Sequence, residues 1–283
     1  MNGINRDACS NEIGNHDVRK KNPPPLMQIE GRITKKSRPV LWRPFIEGIK
    51  KYRLIEPRDA IAVCVSGGKD SMLLAKMMQL LLRYSDFPFL LHFICMDPGY
   101  HAANRRLIEV NAAFLGIPLH IFETDIFDAV RGRDRSPCYQ CARMRRGHLY
   151  NQAKSLGCNK IALGHHQSDV VETVLMNVLY GGTFETMMPK LASRNYPGME
   201  LIRPLYLVHE DAIVDWVRYG GLEFIQCGCP LAENRAPDEG DGRRATVKTL
   251  VKEMKKNNPD VEGSIINATH RVNLERILGT MVR

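Results

Sequence analysis

Residues 60–71 read AIAVCVSGGKDS, and their order decides the fold. The first half, Ala60 to Val65, is a short apolar run of the kind that forms a strand covered on both faces. The second half, Ser66-Gly67-Gly68-Lys69-Asp70-Ser71, breaks that run with paired glycines and opens a helix predicted over Ser71–Tyr84. Glycine allows a tight turn and close approach to an anion, successive N–H groups form a cradle, and the following helix adds its positive end. Lys69 contributes a point charge, while Ser66 and Ser71 contribute hydroxyl donors. This is a phosphate loop, but the Walker spacing G-x-x-x-x-G-K-[ST] is absent.

Working outward, strands are predicted at 89–96, 119–122 and 160–163, alternating with helices at 103–115, 142–155 and 169–180. Short apolar strands separated by such helices imply an α/β fold, a doubly wound parallel sheet with helices on both faces. Ligands of such sheets lie outside the carboxyl ends of the strands. Beyond Arg203 the periodicity is helical, over 211–219, 244–256 and 262–278, which gives a helical C-terminal extension. Residues 1–38 are polar, basic and interrupted by Pro23, Pro24 and Pro25, so they read as a loosely ordered arm. The resulting division is an arm at 1–38, an ATP-binding α/β domain at 39–205 and a helical region at 206–283.

With 283 residues and 44% hydrophobic content, the chain can bury one sizeable core and a small appendage. The formal charge of +9 favours a polyanionic partner, because each neutralised phosphate releases counterions. The N-terminus has no apolar signal region, and no stretch approaches the ~18 apolar residues of a membrane span. A cytoplasmic location with no membrane partner is therefore expected.

The eight cysteines divide by context. Cys64 and Cys95 sit in apolar runs, where a thiol behaves as a small hydrophobe, and Cys9 and Cys158 are isolated. Cys138-Tyr139-Gln140-Cys141, followed by Arg143, Arg145 and Arg146, suits a zinc half-site, a redox pair or two iron–sulfur ligands. A second group, Cys227-Gly228-Cys229-Pro230, is distant in sequence. Four thiolates would suit a closed metal site, whereas three leave one metal position open.

A third motif runs from Leu163 through Gly164, His165, His166 and Asp169 to Thr173. It follows a strand and opens a helix, so it shares the sheet edge with the phosphate loop. Gly164 permits close approach of a nucleotide, and Asp169 can cap the helix or reach a metal or substrate. Adjacent histidines at a strand end point apart, which favours nucleotide contact over metal ligation.

The Ser66–Ser71 loop resembles that of the PP-loop ATP pyrophosphatases, with Lys69 in the variable place of SGGxDS. The order SGGKDS, C-x-x-C-x-R-x-R-R-G, GHHxxDxxET, Ile202-Arg203-Pro204-Leu205 and a late cysteine loop resembles the tRNA 2-thiocytidine synthetase family, over about Leu41 to His270. That resemblance implies an adenine nucleotide alpha hydrolase-like sheet and attack of a base carbonyl on the α-phosphorus of ATP. It implies a [4Fe-4S] cluster on Cys138, Cys141 and Cys229 that delivers sulfur to an activated cytidine of the tRNA anticodon loop. Here the C-x-C spacing departs from the commoner C-x-x-C, so Cys227 competes with Cys229.

ATP is then expected on Val65, Ser66, Gly67, Gly68, Lys69, Asp70, Ser71, Met96, Gly164 and His165. The catalytic set is Lys69, Asp70, Arg145 and Asp169, with Mg²⁺ on Asp70, because a carboxylate repels phosphate. Arg143, Arg146, Lys190 and the N-terminal arm would meet tRNA. Sulfide or a cysteine desulfurase would supply sulfur, and a homodimer is compatible with this reading. The related 2-thiouridine synthetases carry terminal zinc fingers, for which the cysteines here are wrongly placed. The alternatives are such a tRNA 2-thiouridine synthetase, a PP-loop sulfur transferase for a small molecule and a nucleotide- or redox-sensing binding protein.

Overall fold

The computed structural model describes residues 24–126, 137–225 and 239–279, with backbone alone at 137–142 and 239–241. Cys9, Cys227, Cys229 and the first 23 residues of the expected arm lie outside the described residues.

A short helix α1 (Leu26–Gly31), continued by one π-helical turn, leads to α2 (Trp42–Lys51). The alternating core follows as β1 (Ala60–Cys64), α3 (Lys69–Tyr84), β2 (Leu90–Asp97), α4 (Ala102–Phe114) and β3 (Leu119–Glu123). Next come α5 (Pro137–Ser155), β4 (Lys160–Ala162), α6 (Gln167–Met176), β5 (Lys190–Ala192) and β6 (Glu200–Ile202). The α-helices described beyond the sheet are α7 (Glu210–Gly220), α8 (Glu239–Asn257) and α9 (Val261–His270).

The sheet order is β3-β2-β1-β4-β6-β5, parallel except for the β5–β6 pair. Chain order reverses between β1 and β4, and that is where an open α/β sheet leaves a crevice for its ligand. Alternation along β1 covers both faces: Ile61 and Val63 join the larger core under α3, while Ala62 and Cys64 pack towards α5. A third cluster, including Val170, Val171, Val247 and Ile266, packs α8 and α9 against α6.

The structure departs from one sequence expectation. From residue 24 the expected arm is folded, because Ile29 and Ile33 are fully buried in the main core and Glu30 pairs with the buried Lys76 and with Arg83. Two apolar residues on one face suffice to dock a short helix that composition alone reads as polar. The helical region beyond residue 205 shares the main core, since Ile213 and Trp216 of α7 lie in it beside α3. Strands β5 and β6 were not anticipated, and each spans only three residues.

Cys64 and Cys95 are buried thiols, as their apolar surroundings suggested, and the isolated Cys158 is buried as well. Burial, with neighbouring Cys158 and Cys95, pushes the Cys64 thiol up to about 12, far from the thiolate needed for metal or redox chemistry.

Candidate active site

At the carboxyl end of β1 the chain turns at Gly67 with φ +84°, a conformation that favours glycine. A side chain there would also strike Ile108 at 2.6 Å and Ile225 at 2.8 Å. Gly68 then precedes α3 in an extended conformation with no side-chain cap, leaving the positive end of a 16-residue helix facing the loop. Ser71 Oγ ties the turn together, accepting from Ser66 N–H (3.1 Å) and donating to Gly68 C=O (2.9 Å).

Lys69 points into this cradle, held by Asp70 (3.0 Å) and by Glu210 of α7 (3.1 Å), while Glu210 also receives Lys248 of α8 (2.7 Å). Burial alone would raise the Glu210 carboxyl. The ammonium groups of Lys248 and Lys69 overcome that and hold it at about 2, so it is ionised throughout the physiological range. Burial likewise works to lower Lys69, but its two carboxylates win and raise it, so its charge is retained.

The strand β4 ends beside this loop, and the two approach so closely at Gly164 that a side chain would meet Ser71 N at 3.0 Å and Asp70 C at 3.1 Å. His165 and His166 follow with different tasks. His166 caps α6 in a reciprocal box: its N–H donates to Asp169 Oδ2 (3.0 Å), and Asp169 N–H donates to its Nδ1 (3.4 Å). Its Nε2 faces Asp70 Oδ1 at 3.7 Å. His165 lines the cavity with Nδ1 buried and without a hydrogen-bond partner. Burial, and then Arg203, lower it to about 4, so at neutral pH it is an uncharged ring able to meet a base or ribose.

These groups open onto one cavity of about 780 Å³. Of the expected nucleotide residues, Val65, Ser66, Gly68, Lys69, Asp70, Ser71, Met96, Gly164 and His165 all line it, with Gly67 in the turn behind. Arg145 and Arg146 of α5 form part of its wall, as does Asp169. Asp169 carries the helix cap and also accepts from Arg244 (2.8 Å), whose Nε donates to the buried Glu172 (2.7 Å). Cys138 and Cys141 belong to the start of α5, so the backbone carries them on the same helix that walls the cavity. Lys190, expected at the tRNA surface, instead pairs with Glu200 (3.1 Å), whereas Arg143 and Arg146 are exposed.

Glu210, Arg244, Lys248 and Tyr100 were not anticipated. The first three come from helices distant in sequence and carry no local motif. Tyr100 had a signal, because Asp97 ends β2 in an Asp-Pro-Gly turn whose Gly99 and Tyr100 N–H groups donate to Asp97 Oδ1, which places the ring at the strand end.

The PP-loop domain family matches residues 43–227, which is most of the α/β core. A tRNA-cytidine(32) 2-sulfurtransferase of Pelobacter propionicus is 34% identical over 82% of this chain and 85% of its own. The protein of the same name from Syntrophotalea carbinolica is 35% identical over 90% of this chain and 96% of its own. This chain belongs to the PP-loop family and, within it, to the tRNA-cytidine 2-sulfurtransferases. Among solved structures, a U34-tRNA thiolase from Methanococcus maripaludis with its [4Fe-4S] cluster superposes with a TM-score of 0.64. At 21% identity, over 85% of this chain and 80% of the other, the likeness is one of fold. As a tRNA-cytidine 2-sulfurtransferase, the chain is an ATP-using, tRNA-modifying enzyme. Among the described residues no helix is long and apolar enough to cross a membrane.

Proposed function

We propose that the cavity between β1 and β4 binds ATP, transfers its AMP to the carbonyl oxygen of a tRNA cytidine, and lets sulfur take the place of that oxygen. The observation that carries this reading is spatial. The phosphate loop, the Gly164–His165 turn and the arginine-bearing part of the cysteine helix face one cavity.

In the first step the base oxygen attacks the α-phosphorus, the α–β phosphoanhydride breaks, and pyrophosphate leaves with its electron pair. Lys69 and the α3 N-terminus meet the negative charge on the departing phosphates. Arg145 and Arg146 meet the charge that grows on the attacked phosphorus. His165, neutral at working pH, contacts the nucleoside without repelling it. Adenylation turns the base oxygen into part of a good leaving group, and AMP departs when sulfur adds to the carbon.

Of the two inorganic groups that this family implies, Mg²⁺ fits the carboxylates beside the loop. Among the described residues no three carboxylate, imidazole or thiol groups gather to hold a metal by themselves. Mg²⁺ characteristically binds one or two carboxylates plus substrate phosphates, and Asp70 and Glu210 beside the loop supply such carboxylates. Cys138 and Cys141, three residues apart on α5, would hold a [4Fe-4S] cluster together with Cys229. When bound, such a cluster supplies a site from which sulfur is passed on. Sulfide or a cysteine desulfurase is the sulfur source, and the cytoplasm, where tRNA is modified, is the compartment.

The test is pyrophosphate release with tRNA present. Asp70→Ala should abolish it while leaving tRNA binding largely intact, and Cys141→Ser should abolish base thiolation. Undiminished pyrophosphate release from Asp70→Ala, or parental thiolation by Cys141→Ser, would overturn the respective assignment.

A further inference from the structure

The segment that follows α6 is unusually apolar for a surface. Val178, Leu179, Tyr180 and Phe184 are each between 43% and 53% exposed. Scattered exposed apolar residues are ordinary, but a contiguous set marks a contact surface.

Two observations identify the contact. First, the guanidinium of Arg243 lies over the Tyr180 ring at 5.3 Å from its centroid, so one ring face is already capped by a cation. Second, Arg243 adjoins Arg244 in α8, and Arg244 lines the cavity, where it pairs with Asp169 and Glu172. The Tyr180 ring therefore packs against the residue that precedes a cavity-lining arginine in α8.

We propose that Tyr180, backed by Arg243, is a stacking shelf for the nucleobase next to the one that enters the cavity. The proposal rests on the tRNA reading above and names the surface that reading needs. Unpaired RNA bases are held by stacking on aromatic side chains and guanidinium planes, and a target base must leave its own stack to reach a deep site. A shelf for its neighbour would hold the strand open. The charge around the patch favours RNA over a second copy of this chain: Arg243 and Lys252 are exposed along α8, whereas Arg244 and Lys248 are matched by Asp169, Glu172 and Glu210, and two copies would bring the like charges of Arg243 and Lys252 together.

The experiment uses the full-length holoenzyme and an anticodon stem-loop RNA carrying 2-aminopurine beside the target cytidine. Binding to the parent enzyme should change the 2-aminopurine fluorescence through stacking. Tyr180→Ala should remove that change and raise the KM for tRNA about 10-fold, with the KM for ATP unaltered. Tyr180→Trp should restore both, which a merely structural loss would not. Parental fluorescence and KM in Tyr180→Ala would overturn the shelf while leaving the proposed function standing. A shift in oligomeric state at parental tRNA affinity would assign the face to a second copy and overturn it too. Failure of the parent enzyme to bind or thiolate any tRNA would overturn the proposed function and the shelf with it.

Discussion

Gly164→Ala isolates the contact on which the site's geometry turns. The added methyl would lie 3.0 Å from Ser71 N and 3.1 Å from Asp70 C and Ser71 Cα, all backbone atoms at the start of α3. Ordinary contacts begin at 3.4 Å, so the end of β4 and the phosphate loop must part by about 0.4 Å. Neither neighbour is a flexible side chain that could swing aside. Overpacking of this kind costs about 1–3 kcal/mol of stability. A misplacement of ~1 Å costs up to about 100-fold in rate, so ~0.4 Å corresponds to roughly 6-fold in kcat/KM for ATP. The assay is tRNA-dependent pyrophosphate release, with thermal unfolding measured in parallel. Gly31→Ala serves as the control: that residue is helical with φ −63° and has no atom within 4 Å of the added methyl. It should leave activity unchanged and gain about 0.5–1 kcal/mol. Parental kinetics and stability in Gly164→Ala would show that strand and loop do not depend on this close approach.

Three further outcomes follow from the same geometry. Glu210→Gln removes a negative charge shared by Lys69 and Lys248, and should lower kcat/KM for ATP about 10-fold, the worth of about 1.4 kcal/mol, in steady-state pyrophosphate release. Glu262 is held at about 2 against its ordinary 4.5: burial raises it, but His209, Ser168 and Lys255 outweigh that. A depressed carboxylate stabilises the fold above its unfolded value and loses that contribution as pH falls, so urea unfolding should show the parent losing about 1.4 kcal/mol more than Glu262→Gln between about pH 5.5 and 3.5. Ile29→Ala should cost about 2–5 kcal/mol in the same assay, because α1 is docked in the main core; a loss below about 0.5 kcal/mol would mean that α1 is only loosely attached.

Much of the site was legible because its chemistry is local in sequence. A glycine turn, its lysine and its serines must be neighbours to form a cradle, so Ser66–Ser71 announces itself, and Gly164–Asp169 does so for the same reason. Glu210, Arg244 and Lys248 were illegible because only the packing of α7 against α3 and of α8 against α6 brings them in. The same limit explains α1, whose two buried isoleucines mean little until the groove that receives them exists. The β5–β6 pair escaped because three residues are too few to display a period of two. Asp169, assigned to catalysis from sequence, is occupied in the structure by the α6 cap and by Arg244, so its contribution would be to hold the His166 turn and α8 together.

One measurement bears most directly on a shared cavity for nucleotide and thiolates. The enzyme, reconstituted anaerobically with iron and sulfide, is incubated with ATP, Mg²⁺ and tRNA, and the digested nucleosides are weighed by mass spectrometry alongside the nucleotide products. Thiolated cytidine should appear in equal amount with AMP and pyrophosphate, and should vanish in Cys138→Ser without loss of tRNA binding. Release of ADP in place of AMP, or cytidine left unthiolated while AMP accumulates in the fully reconstituted parent, would contradict the account.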